Sequence, residues 1–208
     1  MSAMSAMIRN ATAADAEAIG ILAKEVQAYL RALGDRTHFE FTAATYLRDG
    51  FGPHPAFSGL VAELDGEVIG YLLYHFGYDT DRTMRLMHMI DLYVHAAQRR
   101  RGVGEALMRA AAEICREAGG RELIWSVFAP NTLAFQFYER LGAKRIKALE
   151  FMHWPVPLRE DPKLVVLVHG DLQSGGWLTR RCSGRAGQLA ACKSSAQAKV
   201  TGSSSARR

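Results

Sequence analysis

A chain of 208 residues holds one domain with a full core and is short for two, and 49% apolar with 9% aromatic residues is ordinary globular composition. The formal charge of +5 is uneven: residues 1–158 carry 17 Lys and Arg against 18 Asp and Glu, residues 159–208 carry 9 against 3, so the basicity belongs to the tail and gives the body no nucleic-acid signature. Three cysteines without paired spacing (Cys115, Cys182, Cys192) exclude a disulfide framework and point to a reducing, cytoplasmic setting; no apolar run reaches a membrane span, and no secretory signal opens the chain.

The fold signal begins at Met7 rather than at Met1 or Met4, with a short strand Met7-Ile8-Arg9. Thr12, followed by Asp15, has capping-box spacing and opens a helix whose apolar positions Ile19, Leu22, Ala23, Val26 and Leu30 keep helical periodicity up to Gly34-Asp35. A second helix starts at Thr42 and is expected to stop at Asp49-Gly50, before a proline-containing turn through His54. Leu60–Leu64 and Val68–Tyr74 read as strands joined by a type I′ turn at Asp65-Gly66. A polar loop at Asp79-Thr80-Asp81 leads into a strand from Arg85 to Val94.

A basic glycine turn follows, Gln98-Arg99-Arg100-Arg101-Gly102-Val103-Gly104, and then an amphipathic helix with Leu107, Ala110, Ala111, Ile114 and Ala118 on one face, ended by Gly119-Gly120. Cys115 falls on that apolar face and reads as core. Glu122–Val127 is expected as a strand, Pro130-Asn131 as the start of a helix closed by Gly142, and Lys144–Trp154 as a last strand. Leu164–Val168 could add one more. Residues 171–208, rich in Ser, Gly, Ala and basic residues, are expected to be disordered. The domain is therefore expected over 7–157, with 158–208 a C-terminal extension.

A strand that empties into a helix through a Gly-rich basic turn is suited to a phosphate, because the first helical amides and the helix dipole both favour an anion. A solvated basic loop is the competing reading of such a turn.

These elements and motifs resemble the GNAT superfamily of N-acetyltransferases. Its acyl-CoA motif, Arg/Gln-x-x-Gly-x-Gly/Ala, is matched by Arg99-Arg100-Arg101-Gly102-Val103-Gly104. A second signature is matched by Asn131 and by Phe137-Tyr138 before Gly142-Ala143. Further segments resemble the spermidine/spermine (diamine) and thialysine N-acetyltransferase subfamily: Ile8-Arg9, Ala11-Thr12-Ala13-Ala14-Asp15, Asp49-Gly50-Phe51-Gly52, His54-Pro55, Leu60-Val61-Ala62-Glu63, Tyr78-Asp79 and Asp91-Leu92-Tyr93-Val94. The resemblance covers roughly residues 7–154. It implies an α/β (α+β, mixed-sheet) fold, three-layer α/β/α with a splayed central sheet, acetyl-CoA as co-substrate, no metal, and a homodimer with substrate sites near the subunit interface.

The implied site places acetyl-CoA against Leu92, Tyr93, Val94, Arg99, Arg100, Arg101, Gly102, Val103 and Gly104, with Asn131 touching it or simply capping its helix. Tyr138 is the implied general acid. A thiol has a pKa near ~8.5 and a phenol near ~10, so a phenol donates to a departing thiolate without prior ionisation; an aromatic core residue is the alternative. An alkyl ammonium, with a pKa of about 10.4, must lose a proton before it attacks, and Asp91 is the candidate base or a structural acceptor at the splay. Tyr29, Asp79 and Asp91 are the candidate substrate-binding residues, Asp79 and Asp81 being equally readable as a solvated loop.

The chain departs from the diamine pattern at Ile90, where those enzymes have Glu before Asp, at Leu30, where an acid follows the Tyr, and at Asp81, which takes an aromatic position. That thins the acidic lining a polyamine needs. The expected reaction is acetyl-CoA-dependent N-acetylation of a primary amine of a small molecule: a diamine, a polyamine or a thialysine-like amino acid. A protein N-terminus or lysine is the competing acceptor, and a non-catalytic acyl-CoA-binding module the competing class. No nucleic-acid or membrane partner is expected. The seven histidines show no metal-ligand spacing, and His88, on the strand of Asp91, is a candidate proton relay.

Overall fold

The computed structural model describes residues 6–154; the candidate strand Leu164–Val168, the tail from 171, Cys182, Cys192 and the alternative starts Met1 and Met4 lie outside the described residues. The first unit, Met1–Ile146, is built on five strands: β1 Met7–Asn10, β2 Ser58–Leu64, β3 Glu67–Asp79, β4 Met84–Val94 and β5 Gly120–Ile124. They lie in sequence order, antiparallel from β1 to β4, with β5 parallel to β4. The sheet is thus mixed, and the expected α+β class holds.

Alternation along the strands sorts side chains to two faces. Leu60, Ala62, Leu72, Tyr74, Met87 and Met89 form one core with Leu107, Ala111 and Cys115 of helix α3, Val103–Glu117. Val61, Tyr71, Leu73 and Tyr93 form the other with Ile19 and Leu22 of α1, Ala16–Ala32, and Tyr46 of α2, Ala43–Phe51. Three layers, α/β/α, result. Cys115 is buried core, as its place on the helical face implied.

Asp65 (φ 54°) and Gly66 (φ 82°) make the expected tight turn between β2 and β3. Helix α2 runs one residue past the expected stop at Asp49-Gly50, to Phe51, whose ring centroid lies 5.2 Å from that of Tyr46. That contact with the buried Tyr46 ring favours the extra helical residue despite the poor helix propensity of Asp49 and Gly50.

Two expected strands differ. Glu122–Val127 is replaced by Gly120–Ile124, because pairing to β4 ends at His88 with Ile124 and the two strands part beyond it. Lys144–Trp154 forms no strand. Ile146 in the first unit is exposed, as are Leu149, Phe151, Met152 and Trp154 in the second unit, Lys147–Arg208. Their apolar character suggested a strand, but a strand needs a ladder partner, and none is paired to this segment among the described residues.

At the entry to α1, Arg9 donates to both oxygens of Asp15 (2.8 and 2.9 Å) and to Glu63 (2.8 Å), while the Thr12 N–H and hydroxyl donate to Asp15 at 2.7 and 2.9 Å. The Arg9 hydrogen bonds, helped by Thr12 and opposed by burial, bring the Asp15 pKa down to about 2. A depressed folded-state pKa contributes stability above the unfolded value, near ~3.9, that is lost as pH falls through the folded one. Asp15→Asn is expected to cost roughly 2 kcal/mol near pH 7 and to lower Tm by about 6 °C. The deficit should shrink between about pH 4 and pH 2; a pH-independent deficit in thermal melts would contradict the assignment.

Candidate active site

The parting of β4 from β5 opens a wedge in the sheet. β3 pairs with β4 through Val94, while β5 pairs only up to His88, so residues 90–94 keep a free backbone edge toward the opening. A bulge sits there: Leu73 pairs with Asp91 and Tyr74 with Met89, which leaves Ile90 unpaired and 47% exposed. The bulge turns Ile90 and Asp91 to the same face, that of α1 and α2.

Helix α3 begins at the mouth of the wedge. Its N-cap is Gly102, at φ 81° and ψ −4°, with no side chain to occupy the opening amides. The first backbone bond back to it is from the Ala106 N–H, at 2.9 Å. Nothing lies within 4 Å of where a Cβ on Gly102 would stand. A left-handed glycine at the start of a 15-residue helix, beside three arginines, is a fitting cradle for a diphosphate. These residues and the free edge of β4 fit the phosphates and the extended arm of an acyl-CoA.

The three arginines separate. Arg99 folds back: its Nε donates to the Val94 carbonyl at 3.0 Å, and its guanidinium lies 5.2 Å from the Tyr29 ring centroid and 5.1 Å from that of Tyr93. Arg101 donates to Gln98 Oε1 at 3.1 Å. Arg100 holds a left-handed backbone, φ 62°.

The second wall is α4, Thr132–Arg140. Asn131 caps it, its Oδ1 accepting from the Ala134 N–H at 3.2 Å and from the Tyr29 hydroxyl at 3.0 Å. Tyr29, expected at the substrate, thereby ties α1 to the start of α4. Tyr138 packs against Trp125 and Phe137, ring centroids 4.8 and 5.1 Å away. Burial, and then the charge of Asp91, push its hydroxyl well above the usual phenol range, so it stays a proton donor.

Asp91 accepts a short hydrogen bond from the hydroxyl of Tyr71. Burial raises its pKa, opposed by the Tyr71 hydroxyl and the Leu92 N–H. Tyr71 was not singled out from the sequence. Its signal is a tyrosine in the buried run Tyr71-Leu72-Leu73, since a buried phenol needs a partner, and Asp91, on the next strand, is the partner.

Asp79 is engaged differently. It accepts from Arg82 at 2.8 and 3.0 Å, and Arg82 also pairs with Glu122. The structure thus brings Tyr138, Asp91, Asn131, Tyr29, Arg99 and Gly102 around one opening and ties Asp79 into an ion-paired turn. No group of three or more metal-ligating side chains occurs among the described residues, and none of their helices is long and apolar enough to cross a membrane.

The chain is similar to known proteins in sequence and in fold. Residues 22–143 match the family model for the acetyltransferase (GNAT) family. The chain is 33% identical over 155 residues to a thialysine N-epsilon-acetyltransferase of Bos taurus, covering 71% of this chain and 89% of that one. It is 30% identical over 153 residues to the human spermidine/spermine N(1)-acetyltransferase-like protein 1, covering 70% of this chain but 21% of that protein. Among solved structures, an integron cassette protein from the mobile metagenome of V. cholerae superposes with a TM-score of 0.62 at 26% identity, covering 74% of this chain and 94% of that one. With a family match that begins in α1 and ends just past α4, enclosing the wedge, its glycine cradle and its half-buried tyrosine, this chain belongs to the GNAT family of acetyltransferases.

Proposed function

We propose that this acetyltransferase transfers the acetyl group of acetyl-CoA to a primary amine of a small molecule. One observation carries the reading: a protonated phenol (Tyr138) and a carboxylate (Asp91), both half-buried, meet at a wedge whose mouth is a glycine cradle at a helix N-terminus. When bound, acetyl-CoA supplies the activated thioester. The amides opening α3 hold the phosphates, and the free edge of β4 at Leu92 to Val94 aligns the arm. Tyr138 protonates the departing sulfur. Asp91, anchored by Tyr71, keeps that phenol protonated and favours a cation beside it. Arg99 closes the mouth over Tyr29 and Tyr93.

The acceptor side supports a small amine of low charge. Ile90 replaces a carboxylate, and Asp79 is already paired with Arg82, so little free acid remains for the several ammonium groups of a polyamine. Relatives named for thialysine and for spermidine/spermine bracket this choice. Thialysine is expected to give a kcat/KM at least tenfold above that of spermidine, with putrescine and a lysine peptide included in the same thiol-release assay; the reverse order would contradict the acceptor assignment.

Exposed Ile90 also motivates a second reading, an acyl-CoA-binding module without turnover, which the same assay separates by the absence of thiol release. A cytoplasmic homodimer, the 7–157 domain boundary and an extension over 158–208 complete the proposal. Sedimentation of the full chain tests the dimer.

A further inference from the structure

Two histidines face each other across β3 and β4. His75 and His88 are register partners, their ring centroids are 4.8 Å apart, and His88 Nδ1 lies 3.0 Å from His75 Nε2. The neighbouring backbone decides which nitrogen carries each proton. His75 Nδ1 is 3.3 Å from the Phe76 carbonyl oxygen. A carbonyl only accepts, so that nitrogen carries the proton and, in the neutral ring, His75 Nε2 is an acceptor. His88 Nδ1 must then donate to it, which leaves His88 Nε2 with a lone pair. Among the described residues, nothing donates to that lone pair.

The pair stands at the inner end of the wedge. His88 is the last β4 residue paired to β5, opposite Ile124, so it marks the apex of the wedge. Met87 and Met89 face the α3 core, which turns His88 and Ile90 to the other face, shared with Asp91. At about 3.3 Å per residue, His88 stands about 7 Å from Ile90 and about 10 Å from Asp91 along the strand. An open cleft of about 370 Å³, lined by Phe57, Ser58, Tyr74 and His75, adjoins the pair.

Resting on the acetyltransferase reading above, we infer that His88 Nε2 takes the proton of the acceptor ammonium, directly or through water, and that His75 is the residue that positions it. Ile90 leaves the bulge without a carboxylate, and Asp91 is committed to Tyr71. The step balances. The ammonium gives one proton to His88 Nε2, and the freed lone pair forms the C–N bond to the acetyl carbon as the C–S bond breaks. Tyr138 gives its proton to the departing sulfur and regains, through water, the second proton that the nitrogen sheds. His88 returns its proton to solvent.

The His88 imidazolium keeps its Nδ1–H bond to His75, now charge-assisted. Burial, and then His75, hold His88 below the ordinary histidine range, so it is unprotonated near neutral pH. Among the described residues, the strand neighbours of His88 are His75 on β3, apolar Ile124 on β5, and Ile90 and Asp91 along β4.

The test is kcat/KM for the amine against pH at saturating acetyl-CoA, read by thiol release. The wild-type profile should show an acid limb set by a group below the ordinary histidine range. His88→Gln should lose that limb, run about 100-fold below wild type near pH 7, and recover toward the amine's own pKa of about 10. His75→Leu should displace the limb, and His75→Gln, which keeps an acceptor near the position of Nε2, should restore most of it. Acetyl-CoA affinity, measured by calorimetry, should be unchanged in all three. An intact acid limb with activity within about twofold of wild type in H88Q would overturn the inference alone. No thiol release from the wild-type chain with any amine would sink the functional reading and this inference together.

Discussion

Tyr138→Phe is expected to lower kcat by about 10²–10⁴-fold, the span of a positioned general acid, while the acetyl-CoA Kd stays within about twofold. The reason is local. The phenol oxygen makes no hydrogen bond to any described residue, so its removal leaves the packing against Trp125 and Phe137 intact. What disappears is a proton held in place by burial and by the charge of Asp91. Without it the sulfur leaves as a thiolate in a desolvated wedge. The loss should therefore be smaller for thioesters whose thiol is more acidic. An unchanged kcat with acetyl-CoA would remove Tyr138 from the mechanism.

Gly102→Val should raise the acetyl-CoA Kd on the order of a hundredfold, about 2.7 kcal/mol. Gly102 sits at φ 81°, and a β-branched residue there is strained by backbone sterics even though the space around it is open. The turn must rearrange, and the amides that open α3 lose their aim at the phosphates. Gly102→Ala should show a milder version of the same defect. Fluorescence titration with CoA separates binding from chemistry, and an affinity within about twofold of wild type in G102V would remove the glycine turn from cofactor binding.

Much of the fold was legible because its signals are local. The Asp65-Gly66 turn, the Thr12–Asp15 pair and the apolar spacing of Leu107 and Ala111 each depend on a few neighbouring residues. Boundaries set by long-range pairing were not. β5 ends at Ile124 because β4 leaves it, and Lys144–Trp154, apolar enough for a strand, is paired to none.

The site divides the same way. Gly102 lies in one recognisable motif and Asn131 and Tyr138 in a second, and the structure gathers them at one opening. Tyr71 with Asp91, and His75 with His88, are cross-strand pairs separated by 20 and 13 residues, visible only once the register and the bulge at Ile90 are known. Arg82 closing on Asp79 likewise depends on the turn between β3 and β4, where Thr83 adopts φ 48°. The half of the site proposed for acyl-CoA is thus written in sequence motifs, and the half proposed for the amine in the pairing of strands.

The most direct measurement is thiol release by the wild-type chain from acetyl-CoA, with and without thialysine, alongside the mass of the amine product. Acetyl transfer predicts negligible release without the amine and, with it, thiol and N-acetylated amine formed mole for mole. Tight acetyl-CoA binding with no thiol release on thialysine, putrescine, spermidine or a lysine peptide would contradict it.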